Sequence, residues 1–314
     1  MTQHSQHAVP ASAQGERLDK FVQTCLPQLT RGQAQDLIKQ GAVTLNDKPV
    51  KASERLRVGD VVAVALPTQE EATRPQAEDI PLNVLYEDDA IVVLNKQAGL
   101  VVHPGLGNMT GTLVNALLSR YPSLAQLANE LIDDDTDDAE RVGIVHRLDK
   151  ETSGLMVVAL TQEAHRELAR QFQERTVEKA YLALVERVPK SLSGLIDAPI
   201  GRDPKQRKRM SVQPDGRPAQ TQFDVLDVDF KDPYALVRLK IFTGRTHQIR
   251  VHMAFIGCPV VGDSVYGFRK RRLALDRHFL HATHLAFDHP TTRQRMAFDA
   301  PLPEELQEML ANLR

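Results

Sequence analysis

A short polar turn between two apolar runs constrains this chain more than any other stretch of its sequence. The runs, residues 142–145 and 155–160, have the length and composition of buried strands. The turn between them carries His146, Arg147, Asp149, Lys150, Glu151, Thr152, Ser153 and Gly154. A polar turn that is fixed at both ends by core strands is a rigid place for a reactive group, so we predict the functional site here.

The central carboxylate of this turn is Asp149, which lies between Arg147 and Lys150 in the sequence. Neighbouring cations favour the ionised form of a carboxyl group, so we expect Asp149 to be an anion at neutral pH. An ionised and positioned carboxylate can act as a nucleophile, a base or an electrostatic stabiliser. A plainer interpretation stays open, in which Asp149 only caps the turn by accepting hydrogen bonds from Thr152 or Ser153.

The segment H-R-L-D-K-E-T-S-G-L at residues 146–155 resembles the signature of the RluA family of pseudouridine synthases, in which the Asp is catalytic. Further segments resemble motifs of this family in the expected order. They are N-K-Q-A-G-L-V-V-H-P at 95–104, K-A-Y-L-A-L-V at 179–185, T-G-R-T-H-Q-I-R-V-H at 243–252 and P-V-V-G-D-S-V-Y-G at 259–267. Gln97 replaces the proline that is usual in the first of these motifs, which makes that turn less rigid.

The family resemblance implies roles for residues outside the turn. Tyr181 matches the Tyr that touches the target base, where a ring can stack on a flipped base and a hydroxyl can move a proton. Arg245 matches the Arg that pairs with the catalytic Asp, where a bidentate guanidinium would hold the carboxylate ionised and aimed. A strand Tyr with a solvated hydroxyl and an Arg in a structural ion pair are the alternatives.

Several basic residues are candidates for RNA contacts. In the central turn they are Arg147, which would fill the space of the flipped base or hold a phosphate, together with His146 and Lys150. The loop 202–209 has a net charge of +4 and supplies Arg207, Lys208 and Arg209. Basic clusters in loops can form a phosphate-contacting surface even when the whole chain carries a net charge of only −2. Ordinary solvated loops are the alternative, and we assign no role to the acidic segment 130–140.

The N-terminal part of the chain shows a helix–helix–hairpin pattern over residues 16–66, which resembles the S4 RNA-binding domain. Thr30 is the predicted cap of the second helix and Asn46-Asp47 the predicted hairpin turn. On the outward face of the second helix, Arg31 and Lys39 are placed to contact RNA phosphates. A small structural domain without a ligand is the alternative.

The composition of the chain divides it into four segments. Residues 1–15 are polar and are predicted to be a disordered tail, and residues 67–80 are acidic and contain proline, as a linker does. Residues 16–66 form the S4-like domain and residues 81–314 the catalytic domain. The resemblance implies an α+β fold, in which the catalytic domain is built on a large mixed, mainly antiparallel β-sheet flanked by helices.

Several classes of protein are disfavoured by the sequence. No apolar run reaches membrane-spanning length, and residues 1–10 lack the features of a secretory signal. Cys25 and Cys258 are far apart, as expected for unpaired thiols in a reducing compartment. Neither a zinc-ligand spacing nor a cofactor motif is visible. We therefore expect a cytoplasmic monomer that needs no metal or cofactor.

The function predicted from these motifs is the isomerisation of specific uridines to pseudouridine in large-subunit ribosomal RNA after base flipping. The overall pattern resembles most closely the RluD branch, whose members act on a stem-loop of that RNA. Four alternatives stay open: an RluC-like enzyme, a transfer-RNA pseudouridine synthase, an inactive RNA-binding factor for ribosome assembly, and a carboxylate-dependent glycosidase. The last of these needs a second catalytic carboxylate, for which Glu151 is the only sequence neighbour.

Overall fold

The computed structural model describes residues 3–27, 29–39, 41–66, 75–105, 108–127, 142–206, 209–268, 273 and 275–314. The chain divides into two compact units, residues 1–74 and 75–314. Both combine helices with β-sheet, so the predicted α+β class is confirmed. None of the described helices has both the length and the hydropathy of a bilayer-spanning segment.

The N-terminal unit contains a four-stranded sheet and two helices. The strands are β1 (Gln3–Ala8), β2 (Val43–Leu45), β3 (Lys48–Pro49) and β4 (Val61–Leu66), and the helices are α1 (Leu18–Cys25) and α2 (Arg31–Lys39). The strand order is β1-β4-β2-β3, with every pair antiparallel. The core of this unit is formed by apolar residues from both helices and from the sheet, among them Leu18, Val22, Ala34, Val43, Leu56 and Val64.

Local sequence signals explain how α2 and the hairpin form. The Thr30 hydroxyl accepts a hydrogen bond from the backbone N–H of Gln33, and the Gln33 side chain accepts one from the backbone of Thr30. This capping box confirms the predicted start of the helix. Asn46 and Asp47 both have positive φ angles, 51° and 61°, which is the geometry of a tight turn between β2 and β3.

The predicted disordered tail is wrong for the residues that the structure describes. Strand β1 pairs along its whole length with β4, from the Gln3–Leu66 pair to the Ala8–Val61 pair. Polar composition did not reveal this strand, because a sheet edge offers backbone hydrogen bonds that need no apolar side chains.

The catalytic unit is organised around one large sheet. Its strands are β5 (Val84–Glu87), β6 (Ile91–Lys96), β7 (Ser153–Ala159), β8 (Glu178–Glu186), β9 (Ser193–Asp197), β10 (Ile200–Arg202), β11 (Met210–Val212), β12 (Gln220–Asp227), β13 (Tyr234–Ile241), β14 (Leu280–Asp288) and β15 (Arg295–Asp299). The described strands of the large sheet run in the order β5-β6-β7-β14-β8-β13-β12-β9, and β15 also pairs with β14. β7 and β14 are parallel and the other pairs antiparallel, while β10 and β11 form a separate hairpin.

Helices cover both faces of this sheet. They are α3 (Leu113–Arg120), α4 (Gln162–Glu174), α5 (Gln248–Phe255) and α6 (Glu304–Leu313). Ile91 and Val93 of β6 share a core cluster with α4, whereas Val92 and Leu94 share another with α3, α5 and α6. Because successive strand residues point to opposite faces, a sheet that is covered on both sides needs apolar residues at every position.

The first apolar run beside the central turn is not a strand, so that part of the prediction is wrong. Val142 and Gly143 form a turn, with φ angles of 39° and 75°. Ile144 makes only an isolated bridge to Val158. The apolar run reported burial correctly, but the positive φ angles prevent an extended conformation.

The catalytic unit also begins earlier than residue 81. The backbone N–H of Glu78 donates to the carbonyl of Asn115, and the Asn115 side chain donates to the carbonyl of Gln76. These bonds attach residues 76–78, predicted to be linker, to α3. Residues 67–74 of the predicted linker and the acidic segment 130–140 lie outside the described residues.

Gly154 is required where β7 approaches β14. Its φ is 121°, and a Cβ atom there would lie 2.3 Å from the backbone oxygen of Ala282.

Gly257 also has a positive φ, 82°, but a Cβ there meets nothing within 4 Å. We expect Gly257→Ala to lower the free energy of unfolding by about 1–2 kcal/mol. Gly154→Ala carries the same backbone cost and a backbone clash, so we expect about 3 kcal/mol or more. Urea unfolding of both variants checks this, and equal losses would contradict it.

Candidate active site

A cavity of about 1090 Å³ opens in the catalytic unit at the central turn. The turn itself, the loop 102–105, strand β8 and the segment that leads from β13 into α5 all line it, together with residues of α4 and Leu280 of β14. Asp149, Tyr181 and Arg245, the three predicted catalytic residues, all lie in its walls. The structure therefore brings together side chains that are up to 96 residues apart in the sequence, Asp149 and Arg245 being the most distant pair.

Asp149 is held by a buried arginine from α5. Arg250 is 6% exposed, and its Nη1 donates to Asp149 Oδ2 at 2.9 Å. Its Nε and Nη2 donate to the two carboxylate oxygens of Asp263 at 2.7 and 2.9 Å. Asp263 Oδ1 also accepts from the backbone N–H groups of Val265 and Tyr266. One guanidinium thus joins two carboxylates, and the fork of Arg fixes its orientation.

The prediction that Arg245 pairs with Asp149 is wrong. Arg245 lines the cavity, but its Nε donates to the backbone oxygen of Pro218 at 3.0 Å. The role of partner belongs to Arg250, in the same T-G-R-T-H-Q-I-R motif. Arg245 lies in the loop before α5, whereas Arg250 is the third residue of that helix, in its first turn, and its side chain donates to Asp149. The motif indicated the right segment, but its two arginines could not be distinguished without the start of the helix.

The side chain of Gln248 fixes the loop before α5. Its Oε1 accepts from the Thr243 hydroxyl at 2.7 Å and from the Arg245 backbone at 3.0 Å. Its Nε2 donates to the backbone oxygen of Gln220 and to the hydroxyl of Thr221. This buried amide joins the loop to β12 and so sets where α5 begins.

Tyr181 lies in β8 and is 6% exposed. Burial, together with the negative charge of Asp149, raises the pKa of the Tyr181 hydroxyl above its ordinary value. The phenol is therefore neutral at physiological pH. It presents an aromatic ring to the cavity, and its proton can be donated in a hydrogen bond.

Lys96 connects the central turn to the loop that follows β6. It is 1% exposed, and its ammonium group donates to the carbonyl oxygens of Gln97, Leu100 and Lys150 at 2.8, 2.9 and 3.1 Å. Burial lowers the pKa of Lys96 to about 7, against the raising effect of Glu151 and Asp149. These bonds connect the first family motif to the turn that carries Asp149. A lysine this deeply buried is suited to a structural role and not to a contact with RNA.

A second wall of the cavity contains His146, Phe172 and Lys179. His146 Nε2 accepts a hydrogen bond from the backbone of Val157 at 3.0 Å, and its ring stacks on Phe172. Burial lowers the pKa of His146 to about 3, so this imidazole is neutral. Lys179 Nζ lies 5.0 Å from the centre of the Phe172 ring, and burial lowers the pKa of Lys179 to about 8. His146 is thus a fixed part of the wall, while its RNA contact stays a prediction.

The other predicted RNA-contact residues fall into three groups. Arg147 is exposed and lines the cavity, whereas the exposed Lys150 lies outside that lining. In the N-terminal unit, Arg31 makes an ion pair of 3.2 Å with the buried Asp19, and Lys39 is exposed. Arg207 and Lys208 lie outside the described residues.

Arg209 stacks on an aromatic ring next to the site. Its guanidinium carbon lies 5.1 Å from the centre of the Tyr266 ring, and that of Arg250 lies at the same distance. Arg209 thus reaches Tyr266, which links it to the residues around Asp149.

Sequence reasoning assigned no role to Arg250, Asp263, His247 or Tyr266. The signal was present, because all four stand in motifs that resemble the RluA family. A motif gives the order of residue types in the sequence, but it does not show which side chains contact one another in the fold.

The sequence model described as RNA pseudouridylate synthase matches residues 90–255, and the S4 domain model matches residues 16–62. The chain belongs to the RNA pseudouridylate synthase family. It is 49% identical to an uncharacterized RNA pseudouridine synthase of Chloroflexus aurantiacus, over 98% of this chain and 92% of that protein. It is 42% identical to the ribosomal large subunit pseudouridine synthase D of Nitrosomonas europaea, over 98% of this chain and 87% of that protein.

The fold agrees with this family. The solved structure of human RNA pseudouridylate synthase domain containing 1 superposes with a TM-score of 0.56 and 29% identity, covering 76% of this chain and 96% of that one. The chain is therefore an RNA pseudouridine synthase with an N-terminal S4 domain.

The two arginines of the α5 segment should behave differently on substitution. Arg250→Lys loses the planar fork that makes three directed bonds to Asp149 and Asp263, so we expect kcat to fall by about 100-fold or more. Arg245→Lys keeps a cation at the cavity wall, so we expect kcat to stay within about tenfold, with the main change in KM. Pseudouridine formation under steady-state conditions measures both. A larger kcat loss for Arg245→Lys would contradict this assignment.

Lys96→Met should alter how stability depends on pH. The folded pKa of Lys96 lies near 7, below the 10.5 of an unperturbed lysine, so between these values the unfolded chain binds the extra proton. The free energy of unfolding of the wild type should therefore rise with pH in this window relative to Lys96→Met. Urea unfolding of both proteins at pH 7, 8 and 9 measures the difference. A difference that does not change with pH would contradict the low pKa.

Proposed function

We propose that this enzyme converts uridine to pseudouridine in large-subunit ribosomal RNA, with Asp149 as the residue that acts on the sugar. The observation that carries the proposal is the buried Arg250, which holds one oxygen of Asp149 and leaves the other facing the cavity. A carboxylate that is held in place by an arginine is suited to attack or to proton removal.

The reaction balances without a cofactor. The bond between nitrogen 1 of uracil and the anomeric carbon breaks, the base rotates, and a bond forms from carbon 5 to the same carbon. The proton that carbon 5 loses is replaced in the product by one on nitrogen 1. Asp149 either attacks the anomeric carbon or removes a proton from the sugar, and both routes use the same free oxygen.

Base flipping is part of the proposal, because the reacting atoms of a paired uridine are covered by its neighbours. The cavity volume of about 1090 Å³ is large enough for a nucleotide. Tyr181 offers a ring for stacking, and its raised pKa makes a water molecule the better acceptor for the carbon 5 proton. Arg147, exposed beside the opening, would hold a phosphate or occupy the vacated space.

The lining of the cavity supports isomerisation rather than glycoside hydrolysis. Among the described lining residues, Asp149 is the only Asp or Glu. Glycosidases use a pair of carboxyl groups. Asp263, the nearest carboxylate partner of Arg250, already accepts bonds from that guanidinium and from two backbone groups.

The choice of ribosomal RNA is supported by the names of relatives and by the S4 domain. Several relatives at 39–42% identity over 98% of this chain are named ribosomal large subunit pseudouridine synthase D. We infer that the target lies in a stem-loop, that the enzyme acts as a monomer in the cytoplasm, and that Arg31 and Lys39 of the S4 domain contact phosphates.

Deletion of the gene, followed by mapping of pseudouridine in ribosomal RNA, tests this function. We expect loss of pseudouridine at one or more large-subunit positions, restored by the wild type and not by Asp149→Asn, because an amide cannot act as a nucleophile or base here. Glu151→Gln, a nearby carboxyl outside the described cavity lining, is the matched control and should restore modification. Unchanged pseudouridine throughout ribosomal RNA would contradict the substrate assignment.

A further inference from the structure

His247 has a backbone conformation that few residues adopt. It is the N-cap of α5 and has a φ of 56°, in the left-handed region. A residue other than glycine is held there at a cost of about 1 kcal/mol, which is usually retained for a specific reason. Its side chain is 24% exposed and lines the cavity beside Asp149.

The position of the imidazole is fixed by Tyr266. Nδ1 of His247 lies 2.8 Å from the Tyr266 hydroxyl oxygen, and the two rings meet edge to face at 5.6 Å. The same hydroxyl oxygen accepts a hydrogen bond from the backbone N–H of Met210 at 2.9 Å. Met210 N–H donates to this oxygen, which leaves the phenol hydrogen available for donation to His247 Nδ1. With that arrangement the neutral imidazole of His247 carries its own hydrogen on Nε2.

The Nε2–H group points towards the oxygen of Asp149 that Arg250 does not use. Nε2 lies 3.9 Å from Asp149 Oδ1, which is too long for a hydrogen bond. Within the described part of the chain, neither Nε2 nor Oδ1 has a partner at hydrogen-bonding distance. A donor and an acceptor thus stand side by side at the cavity without satisfying each other.

Tyr266 is itself held by the residues around Asp149. Its backbone N–H donates to Asp263 Oδ1, and the centre of its ring lies 5.1 Å from the guanidinium carbons of both Arg209 and Arg250. A rigid ring in this place keeps its hydroxyl aimed at His247.

We propose that His247 touches the target nucleotide and donates a hydrogen bond from Nε2 to an oxygen next to the anomeric carbon, and that Tyr266 is the positioning residue that fixes this tautomer. The inference rests on the proposed function, in which Asp149 acts on the sugar. The ring oxygen bonded to the anomeric carbon is a weak acceptor, because its lone pair is drawn towards that carbon when the glycosidic bond breaks. Two better acceptors lie close by: the 2-carbonyl oxygen of uracil and the 2′-hydroxyl of ribose.

The effect of the hydrogen bond from Nε2 on the reaction depends on which oxygen accepts it. When the bond from nitrogen 1 to the anomeric carbon breaks, its electron pair stays with uracil, and the 2-carbonyl oxygen gains negative charge. A fixed donor at that oxygen stabilises the transition state. A bond to the 2′-hydroxyl would instead orient the sugar for Asp149. Burial also lowers the pKa of His247, which keeps the imidazole neutral at physiological pH.

Two substitutions of His247 separate the donor from the backbone. Asn is one of the residues other than glycine that best tolerate the left-handed conformation, but its amide is too short to reach the place of Nε2. Gln tolerates the conformation less well, but its amide nitrogen reaches that place. We expect His247→Gln to keep kcat within about fivefold and His247→Asn to lower it by about 100-fold, as for the loss of one transition-state donor. The opposite order would overturn the proposal, because it would show that only the backbone matters.

Tyr266→Phe tests the positioning role, measured alone and combined with His247→Gln. Phe keeps a ring in contact with the two arginines and removes the hydroxyl. Because Gln has no tautomer to fix, we expect kcat to fall about tenfold in the wild-type background and less than twofold in the His247→Gln background. Equal losses in both backgrounds would overturn the role and indicate packing alone.

The closing experiment compares the wild type with His247→Asn on RNA whose target uridine is replaced by 2-thiouridine or 2′-deoxyuridine. The wild type should exceed the variant by about 100-fold on normal RNA and by less than tenfold on the RNA that lacks the accepted oxygen. This difference identifies the acceptor. An unchanged ratio on both analogues would overturn the contact.

A wild type that modifies no RNA would instead contradict the proposed function. In that case ¹⁵N NMR of the His247 ring still tests the tautomer, and a proton on Nδ1 would overturn it.

Discussion

The site depends on one buried guanidinium that is shared by two carboxylates. Arg250 bridges Asp149 and Asp263, so the reactive residue and the loop that follows α5 are fixed by the same group. Burial of charges is costly unless each is paired and hydrogen-bonded. Among the described residues, Asp263 is bonded at both oxygens, by Arg250 and by two backbone N–H groups, whereas Asp149 is bonded at Oδ2 and has no hydrogen-bond partner at Oδ1. The asymmetry separates a structural carboxylate from a reactive one.

Other residues of the catalytic unit fix the positions of Asp149 and Arg250. Gly154 allows β7 to approach β14, and this sets the exit of the central turn. Lys96 attaches the carbonyl of Lys150, next to Asp149, to the end of β6. Gln248 sets the start of α5, and with it the position of Arg250. These contacts join residues that are far apart in the sequence. The geometry of the site therefore depends on the whole catalytic unit and not on one motif.

Much of this architecture is readable from the sequence, and the exceptions have physical causes. Helix caps such as Thr30 are local signals, and they predicted correctly. The predictions for residues 142–145 and for the segment of β1 were wrong, because the composition of a segment indicates its burial and polarity. It does not indicate φ angles or the free edge of a sheet. Arg245 and Arg250 stand five residues apart in one motif, and only the start of α5 decides which reaches Asp149. The partners of His247 and Tyr266 arise from tertiary contacts, which the order of residues does not contain.

Single-turnover release of tritium from RNA labelled at carbon 5 of uracil tests the central claim most directly, namely that the free oxygen of Asp149 starts the reaction. It measures chemistry apart from binding, since RNA affinity can be determined separately by filter binding. We expect the wild type to release one tritium for each pseudouridine formed. Asp149→Asn should bind RNA with a similar Kd and release none. Release by the Asn variant at a rate close to that of the wild type would contradict the account.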